Sequence, residues 1–305
     1  MTTTSPSLWM LEYGRCVAQP LGCIFYGAWN LGGRPFSYSY VYIEADRHRI
    51  LVDVGHDVGS SNRAWHDANG IVDYQAPDVV LAKVGVRPGD IDTVVLTHAH
   101  YDHAGAARWF PQAQFFLQRR ELESSRWALD QSPLYDSIIP ALDPADITML
   151  EQMASQGRLV LLDGARTLYP GIEIRTAWNT HTQGGQYVVV TDAAGDRWVV
   201  TGDAMYSYEN AEGIGGSGGR VNIGFGGGSG WDGLRLIEEM VAVAGSTDRL
   251  VIVHEPATFQ RNPSSRDRGG LSVAELVLAP GQCSRIAGAG APGVDLPGST
   301  PVPHR

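Results

Sequence analysis

The segment Thr97-His98-Ala99-His100-Tyr101-Asp102-His103 follows directly on the apolar run Thr93-Val94-Val95-Leu96. The run reads as a buried strand, and the Gly-containing stretch after the motif reads as a turn into a helix. The motif therefore sits at the carboxyl end of a strand, where open α/β sheets place their ligands. Three of the nine histidines in the chain fall in this one cluster, which argues against ordinary histidines in a polar surface loop. Imidazoles and a carboxylate packed so closely are costly to bury unless something positive lies among them. A transition metal fits that donor set, with Zn, Fe, Ni and Co all suited to imidazole and carboxylate.

The pattern His-x-His-x-Asp-His resembles the signature of the metallo-β-lactamase superfamily. That resemblance implies an α/β fold, the αββα sandwich, in which two mixed β-sheets pack face to face with helices outside. It also requires further ligands, in order, at the ends of later strands. His181 follows the strand-like Ile172-Glu173-Ile174-Arg175-Thr176-Ala177, Asp203 follows Trp198-Val199-Val200, and His254 follows Leu250-Val251-Ile252-Val253. By resemblance, His98, His100 and His181 hold one metal, Asp102, His103 and His254 hold a second, and Asp203 bridges them. Two divalent ions are implied, zinc first, with Mn, Fe or Co as alternatives. At about 3.5–4 Å apart they would share a hydroxide whose pKa is lowered towards roughly 7. His100 stands where the flavodiiron branch has a glutamate, and the presence of both Asp102 and His103 favours two metals over one.

The segment Gly202-Asp203-Ala204-Met205-Tyr206-Ser207-Tyr208-Glu209-Asn210 narrows the resemblance to the N-acyl homoserine lactonases, the quorum-quenching branch. Gly14-Arg15-Cys16 and Ile50-Leu51-Val52-Asp53-Val54-Gly55 are similar to that branch as well. In it, a tyrosine three residues after the bridging aspartate faces the substrate carbonyl, and Tyr206 has that spacing. The implied reaction opens a cyclic ester: a metal-bridging hydroxide attacks the carbonyl, Tyr206 polarises its oxygen, and Asp102 protonates the leaving alkoxide or acts only as a ligand. The same metal site would serve a glyoxalase II-like thioesterase, an amidase or a phosphotriesterase. A non-catalytic metal-binding protein and an oxygen-using iron enzyme are further alternatives. The chain departs from the branch in places. Thr180-His181-Thr182-Gln183-Gly184-Gly185 replaces Gly-His-Thr-Pro-Gly-His, and Val253 stands where glycine is common. An unusual Gly-rich loop spans 213–230. These departures touch the substrate side more than the metals.

Composition is that of a globular enzyme: 305 residues, 43% hydrophobic, with 37 glycines for turns and loops. A net charge of −10 disfavours nucleic acid, which needs clustered Lys and Arg. No stretch approaches the roughly 20 apolar residues of a membrane span. The first seven residues have neither the basic start nor the apolar core of a signal peptide. Three cysteines, Cys16, Cys23 and Cys283, are too few and too odd for a disulfide framework. The expected compartment is the cytoplasm, and the expected partner a small-molecule substrate. The resemblance also allows a homodimer.

Strands are expected at 8–13, 38–44, 49–54, 93–97 and 114–117, then near 158–162, 172–178, 186–191, 197–201 and 249–253. Helices are expected over 102–110, 119–129, 143–155 and 232–244, the third opened by Asp143-Pro144 as cap and first turn. We expect one hydrolase domain over 1–286 and a Pro-rich tail over 287–305 that is extended or disordered. Asp53, at the end of an apolar run, is either a turn residue or a carboxylate that orients a metal-binding histidine. His56 and His66 fall outside the motif spacing and read as ordinary histidines. Phe36, Tyr38 and neighbouring aromatics belong to the core or to a substrate mouth. The 213–230 loop has no phosphate-cradle context, so it is expected as a lid or a wall of the substrate cleft.

Overall fold

The computed structural model describes residues 5–138 and 140–286, without the side chain of Ile138. The stretch 287–305, expected as a tail, lies outside the described residues. Seven strands precede residue 165: β1 (Ser7–Pro20), β2 (Gly33–Ala45), β3 (His48–Val52), β4 (Ile71–Val72), β5 (Thr93–Val95), β6 (Gln114–Gln118) and β7 (Leu159–Leu162). Seven more follow among the described residues: β8 (Arg166–Tyr169), β9 (Ile172–Trp178), β10 (Gly184–Thr191), β11 (Arg197–Val200), β12 (Leu250–Val251), β13 (Ser264–Arg266) and β14 (Ser272–Val277). One sheet runs β13-β14-β1-β2-β3-β5-β6-β7 with β4 beside β1, and the other runs β12-β11-β10-β9-β8. Both are mixed. β3, β5, β6 and β7 pair in parallel, as do β11 and β12, while β1–β2 and β9–β10 are antiparallel.

The period of two along each strand sorts its residues between cores. Leu8 and Met10 of β1 point between the sheets, with Val41, Ile43, Ile50 and Val52 beside them and Ile174, Val188 and Val200 of the second sheet opposite. Trp9, Leu11 and Tyr13 face the other way, into a core that includes Val80, Leu81, Ile147 and Leu150 from helices Pro77–Ala82 and Pro144–Ser155. On the far side, Tyr187, Val189 and Val199 pack on Leu236, Ile237 and Met240 of helix Gly230–Ala244. The layers are therefore αββα, two mixed sheets between helices. Strands covered on both faces read as continuous apolar runs such as Leu8-Trp9-Met10-Leu11, not as alternation. Each fully buried Val, Leu or Ile stabilises by about 1.5–3 kcal/mol, so the facing sheets are held mainly by this interior.

One expected helix is corrected. Over 102–110 the chain makes a single helical turn, Tyr101–Ala104, and then a 3-10 turn, Ala107–Trp109. The Ala106 amide leaves the helical ladder and donates to the Gly55 carbonyl at 3.0 Å, tying this segment to the end of β3. The other three expected helices lie close to expectation, at Arg119–Asp130, Pro144–Ser155 and Gly230–Ala244, while helices Asn62–Ala68 and Pro77–Ala82 were not expected. Asp143 caps helix Pro144–Ser155 by accepting from the Ala145 amide. β4, β8, β13 and β14 were not expected; β8 and β13 are partly exposed and lack an apolar pattern, whereas β14 is almost wholly buried. Among the described residues no helix is long and apolar enough to cross a membrane.

Asn62 Nδ2 donates to Asp143 Oδ2 at 2.9 Å and to Asp146 Oδ2 at 2.8 Å, stapling helix Asn62–Ala68 to helix Pro144–Ser155. Burial pushes the Asp146 carboxyl up from 3.8 to about 7. Such a carboxyl holds its proton more tightly folded than unfolded, so its contribution to stability falls as pH rises from 3.8 to about 7. Asp146→Asn should flatten that part of the stability-versus-pH curve, read from urea melts at a series of pH values. A curve identical to that of the parent chain would refute the assignment.

Candidate metal centre

The seven candidate ligands gather at one end of the sandwich because each follows a strand. His98 and His100 lie in the loop after β5, and Asp102 and His103 in the helical turn that comes next. His181 lies between β9 and β10, Asp203 in the 3-10 turn Gly202–Ala204 after β11, and His254 after β12. All are buried except Asp102, which is partly exposed.

They divide into two groups. His98, His100, His181 and Asp203 bring one ligand atom each within 4.8 Å of one another, and so do Asp102, His103 and His254. Asp203 stands between the groups. Its Oδ2 is 3.3 Å from His181 Nε2 and 3.7 Å from His98 Nε2. Its Oδ1 is 3.0 Å from His103 Nε2 and 3.1 Å from His254 Nε2. Asp102 Oδ2 lies 3.7 Å from both His103 Nε2 and His254 Nε2.

A further ring of bonds fixes which nitrogen faces inwards. His103 Nδ1–H donates to Asp53 Oδ2 at 2.8 Å, His254 Nδ1–H to the Ser37 carbonyl at 2.7 Å, and His181 Nδ1–H to the Phe225 carbonyl at 3.0 Å. The Thr97 hydroxyl donates to Asp53 Oδ2 at 2.9 Å, which leaves its oxygen to accept from His98 Nδ1–H at 3.0 Å. Four histidines thus turn Nε2 towards the centre. His100 instead presents Nδ1, 2.9 Å from His181 Nε2. Asp53 serves two of these chains, and its backbone sits at φ +65°, a left-handed conformation uncommon outside glycine. Of its two expected roles, the structure shows the carboxylate held on His103.

This arrangement fits divalent metal. With their Nδ1 atoms donating outwards, His103 and His254 face each other through Nε2 lone pairs 3.2 Å apart, and a carboxylate oxygen is adjacent. Three acceptors that close need a cation among them. His98 Nε2 is buried with no hydrogen-bond partner, as expected of a ligand atom. Burial pushes His98, His100 and His181 below the usual imidazole pKa, keeping them neutral and able to bind metal. Burial also opposes positive charge at His103, but Asp203, Asp53 and Asp102 outweigh it and raise its pKa well above normal, so the field at Nε2 favours a cation, which a bound metal would supply in place of a proton. Despite burial, His103, His254 and His181 hold the Asp203 carboxyl well below the usual range.

Tyr206 donates its hydroxyl to Asp203 Oδ2 at 3.1 Å. Burial and Asp203 raise its pKa well above 10.0, so it keeps its proton. With Phe36, Tyr38, Cys23, Asp102 and His254 it lines a cavity of about 160 Å³ over the centre. A second cavity of about 790 Å³ meets the cluster from the side of His100 and His181, and Phe225 borders both. Phe225 belongs to the Gly-rich loop, which is a wall of the cleft. Its amides at Gly224 and Phe225 bond Cys23 O, Gly227 N bonds His181 O, and Ser229 N bonds Asn179 O. Glycine is required by the close approach: a Cβ on Gly224 would lie 1.9 Å from Gly22 O, and one on Gly228 2.2 Å from Asn179 O.

The carbonyls of Ser37 and Phe225 and the Thr97 hydroxyl were not foreseen as supports of the site. A backbone carbonyl carries no signal in residue type, although Thr97 does adjoin the motif. Phe36, whose ring stacks on His254 at 4.4 Å, was foreseen only as one of several aromatics. His56 and His66 lie outside both groups and bond each other at 3.0 Å.

A family model described as the metallo-beta-lactamase superfamily matches residues 33–240. The chain belongs to that superfamily. It is 28% identical over 134 residues to an N-acyl homoserine lactonase of Bacillus cereus, covering 44% of this chain and 46% of that protein. It is 27% identical over 180 residues to the N-acyl homoserine lactonase AiiA of Bacillus thuringiensis subsp. kurstaki, covering 56% of this chain and 64% of that one. The chain thus spans about half to just under two thirds of these relatives. A B. thuringiensis AiiA variant with N-decanoyl-L-homoserine at its active site superposes with a TM-score of 0.62 at 19% identity, over 85% of this chain and 97% of that one. AidC, a dizinc quorum-quenching lactonase solved with a product, gives 0.61 at 17% identity, over 89% of this chain and 94% of its own. These superpositions establish a shared fold for this member of the metallo-beta-lactamase superfamily.

Asp53 provides a test of the supporting bonds. Asp53→Ala leaves His103 Nδ1 and Thr97 without their acceptor and should weaken metal affinity by about 10–100-fold. Chelator competition followed by elemental analysis measures this directly, and parent-like affinity would show that the bond to His103 does not support the site.

Proposed function

We propose that this protein is a dinuclear metal-dependent hydrolase that opens the ring of a lactone. The observation that carries this reading is the placement of Asp203 between two ligand groups, with the Tyr206 hydroxyl 3.1 Å from it on the cavity wall. His98, His100 and His181 would hold one ion and Asp102, His103 and His254 the other, with Asp203 shared. When bound, a pair of divalent ions, zinc first among the candidates, supplies Lewis acidity that brings a shared water towards a neutral pKa and polarises a carbonyl oxygen.

The chain's own residues do the rest. Asp53, Thr97 and the Ser37 and Phe225 carbonyls keep the imidazoles in the required tautomers. Phe36 and Phe225 give the centre apolar walls. Tyr206, protonated through the accessible pH range, can redirect its hydroxyl from Asp203 to a carbonyl oxygen as negative charge develops there. Water oxygen bonds to the carbonyl carbon and the ring C–O bond breaks. The freed alkoxide takes a proton, leaving a hydroxy acid that releases a proton to solution near neutrality. The activity of the lactonase relatives and the homoserine ligands of the similar structures support a homoserine-lactone class of substrate.

The deciding experiment couples elemental analysis of the purified protein to proton release from a lactone panel, run beside acyl-glutathione, amides and phosphotriesters. About two metals per chain, with lactone opening abolished by chelator, is the expected result. Two metals without lactone turnover would transfer the site to one of the other ester-like substrates. Tyr206→Phe should retain both metals and lose about a hundredfold in turnover, the usual effect of removing one oxyanion donor. Asp102→Asn separates that residue's two roles. Loss of one metal identifies a ligand, whereas two metals with slow turnover identify the proton donor.

A further inference from the structure

Glu121 lies in the first turn of helix Arg119–Asp130 and is completely buried, although it is neither a candidate ligand nor paired with a cation. Its Oε1 accepts the Ala99 amide at 3.0 Å and its Oε2 accepts the Gly184 amide at 2.9 Å. Ala99 lies between His98 and His100, and Gly184 closes the loop that carries His181. One carboxylate therefore spans the two loops that supply all three histidines of the first ligand group. The contact admits no side chain on its partner: a Cβ on Gly184 would lie 2.1 Å from the Glu121 amide nitrogen. Asp102, His103 and His254 receive no bond from it. Burying a carboxylate is costly, and here its oxygens accept two backbone amides and meet the side chain of Thr182, which belongs to the same His181 loop, at the edge of the site.

We infer that Glu121 is a positioning residue that locks the His98–His100 loop to the His181 loop and thereby sets metal affinity at the first site selectively. This rests on the two-metal reading above. Glu121→Gln is nearly isosteric, but its NH2 must confront one of the two backbone N–H donors. A role in packing would tolerate that change; the clamp would not.

The test uses the full-length chain in two backgrounds, with zinc titrated against a competing chelator and the melting temperature recorded alongside. With His254→Ala weakening the second site, Glu121→Gln should lower zinc affinity by about 10–100-fold, as loss of an outer partner does. With His181→Ala weakening the first site, the same change should have little effect on the remaining ion. If Glu121→Gln fails to fold, Glu121→Asp replaces it: it keeps charge and acceptors but is one methylene too short to reach both amides, and the same asymmetry is expected. Equal losses in both backgrounds, or none in either, would overturn the clamp. A parent chain that binds no zinc would instead overturn the two-metal reading, so the two failures are separable.

Discussion

The Asp203 carboxylate, buried with imidazole nitrogens at 3.0, 3.1 and 3.3 Å, is the constraint around which the functional end of this protein is arranged. A carboxylate and several inward-facing lone pairs do not lie together out of water without a positive charge to hold them. A divalent metal pair would meet that demand, and this is why the geometry reads as a candidate metal centre and not as a hydrogen-bonded core.

Holding such a cluster falls to residues that never touch the centre. Asp53 reaches His103 directly and His98 through the Thr97 hydroxyl. The Ser37 carbonyl on β2 and the Phe225 carbonyl in the Gly-rich loop hold His254 and His181. These contacts join the first sheet, the second sheet and the loop between β11 and β12. The site is therefore tied to the sandwich beneath it, whose interior is filled by Leu8, Met10, Ile174, Val188 and Val200. Phe225 has a second part, since it also borders both the small cavity over Tyr206 and the larger one beside His100.

Much of this was legible in the order of residues. Strand-like segments, apolar runs before His98, Asp203 and His254 and an alternating one before His181, mark strands with candidate ligands at their carboxyl ends, a local pattern that survives without knowledge of pairing. The helix expected over 102–110 was not legible, because the Ala106 amide is diverted to Gly55, a partner about fifty residues earlier. β8 and β13 were missed because partly exposed edge strands carry no apolar alternation, and β14 was missed although it is buried between β13 and β1, because Ser272 and Glu275 interrupt its apolar run. The loop over 213–230 was recognisable as unusual, yet whether it formed a lid or a wall depended on Cys23, His181 and Asn179, which it meets only in the folded chain.

Residue types and local spacing alone were enough to name the candidate donors. His-x-His-x-Asp-His after a buried strand, followed by three spaced ligands and Tyr206, is a statement about residue types and local spacing. Tertiary structure decided the partners of those donors. It chose which imidazole nitrogen points inwards, gave Asp53 two histidines to orient, and set Glu121 across two loops. Those outcomes follow from hydrogen bonds between positions tens to more than two hundred residues apart, many of them to backbone carbonyls and amides that every residue possesses. Such bonds have no signature in residue type, so they exist only once the sheets have packed.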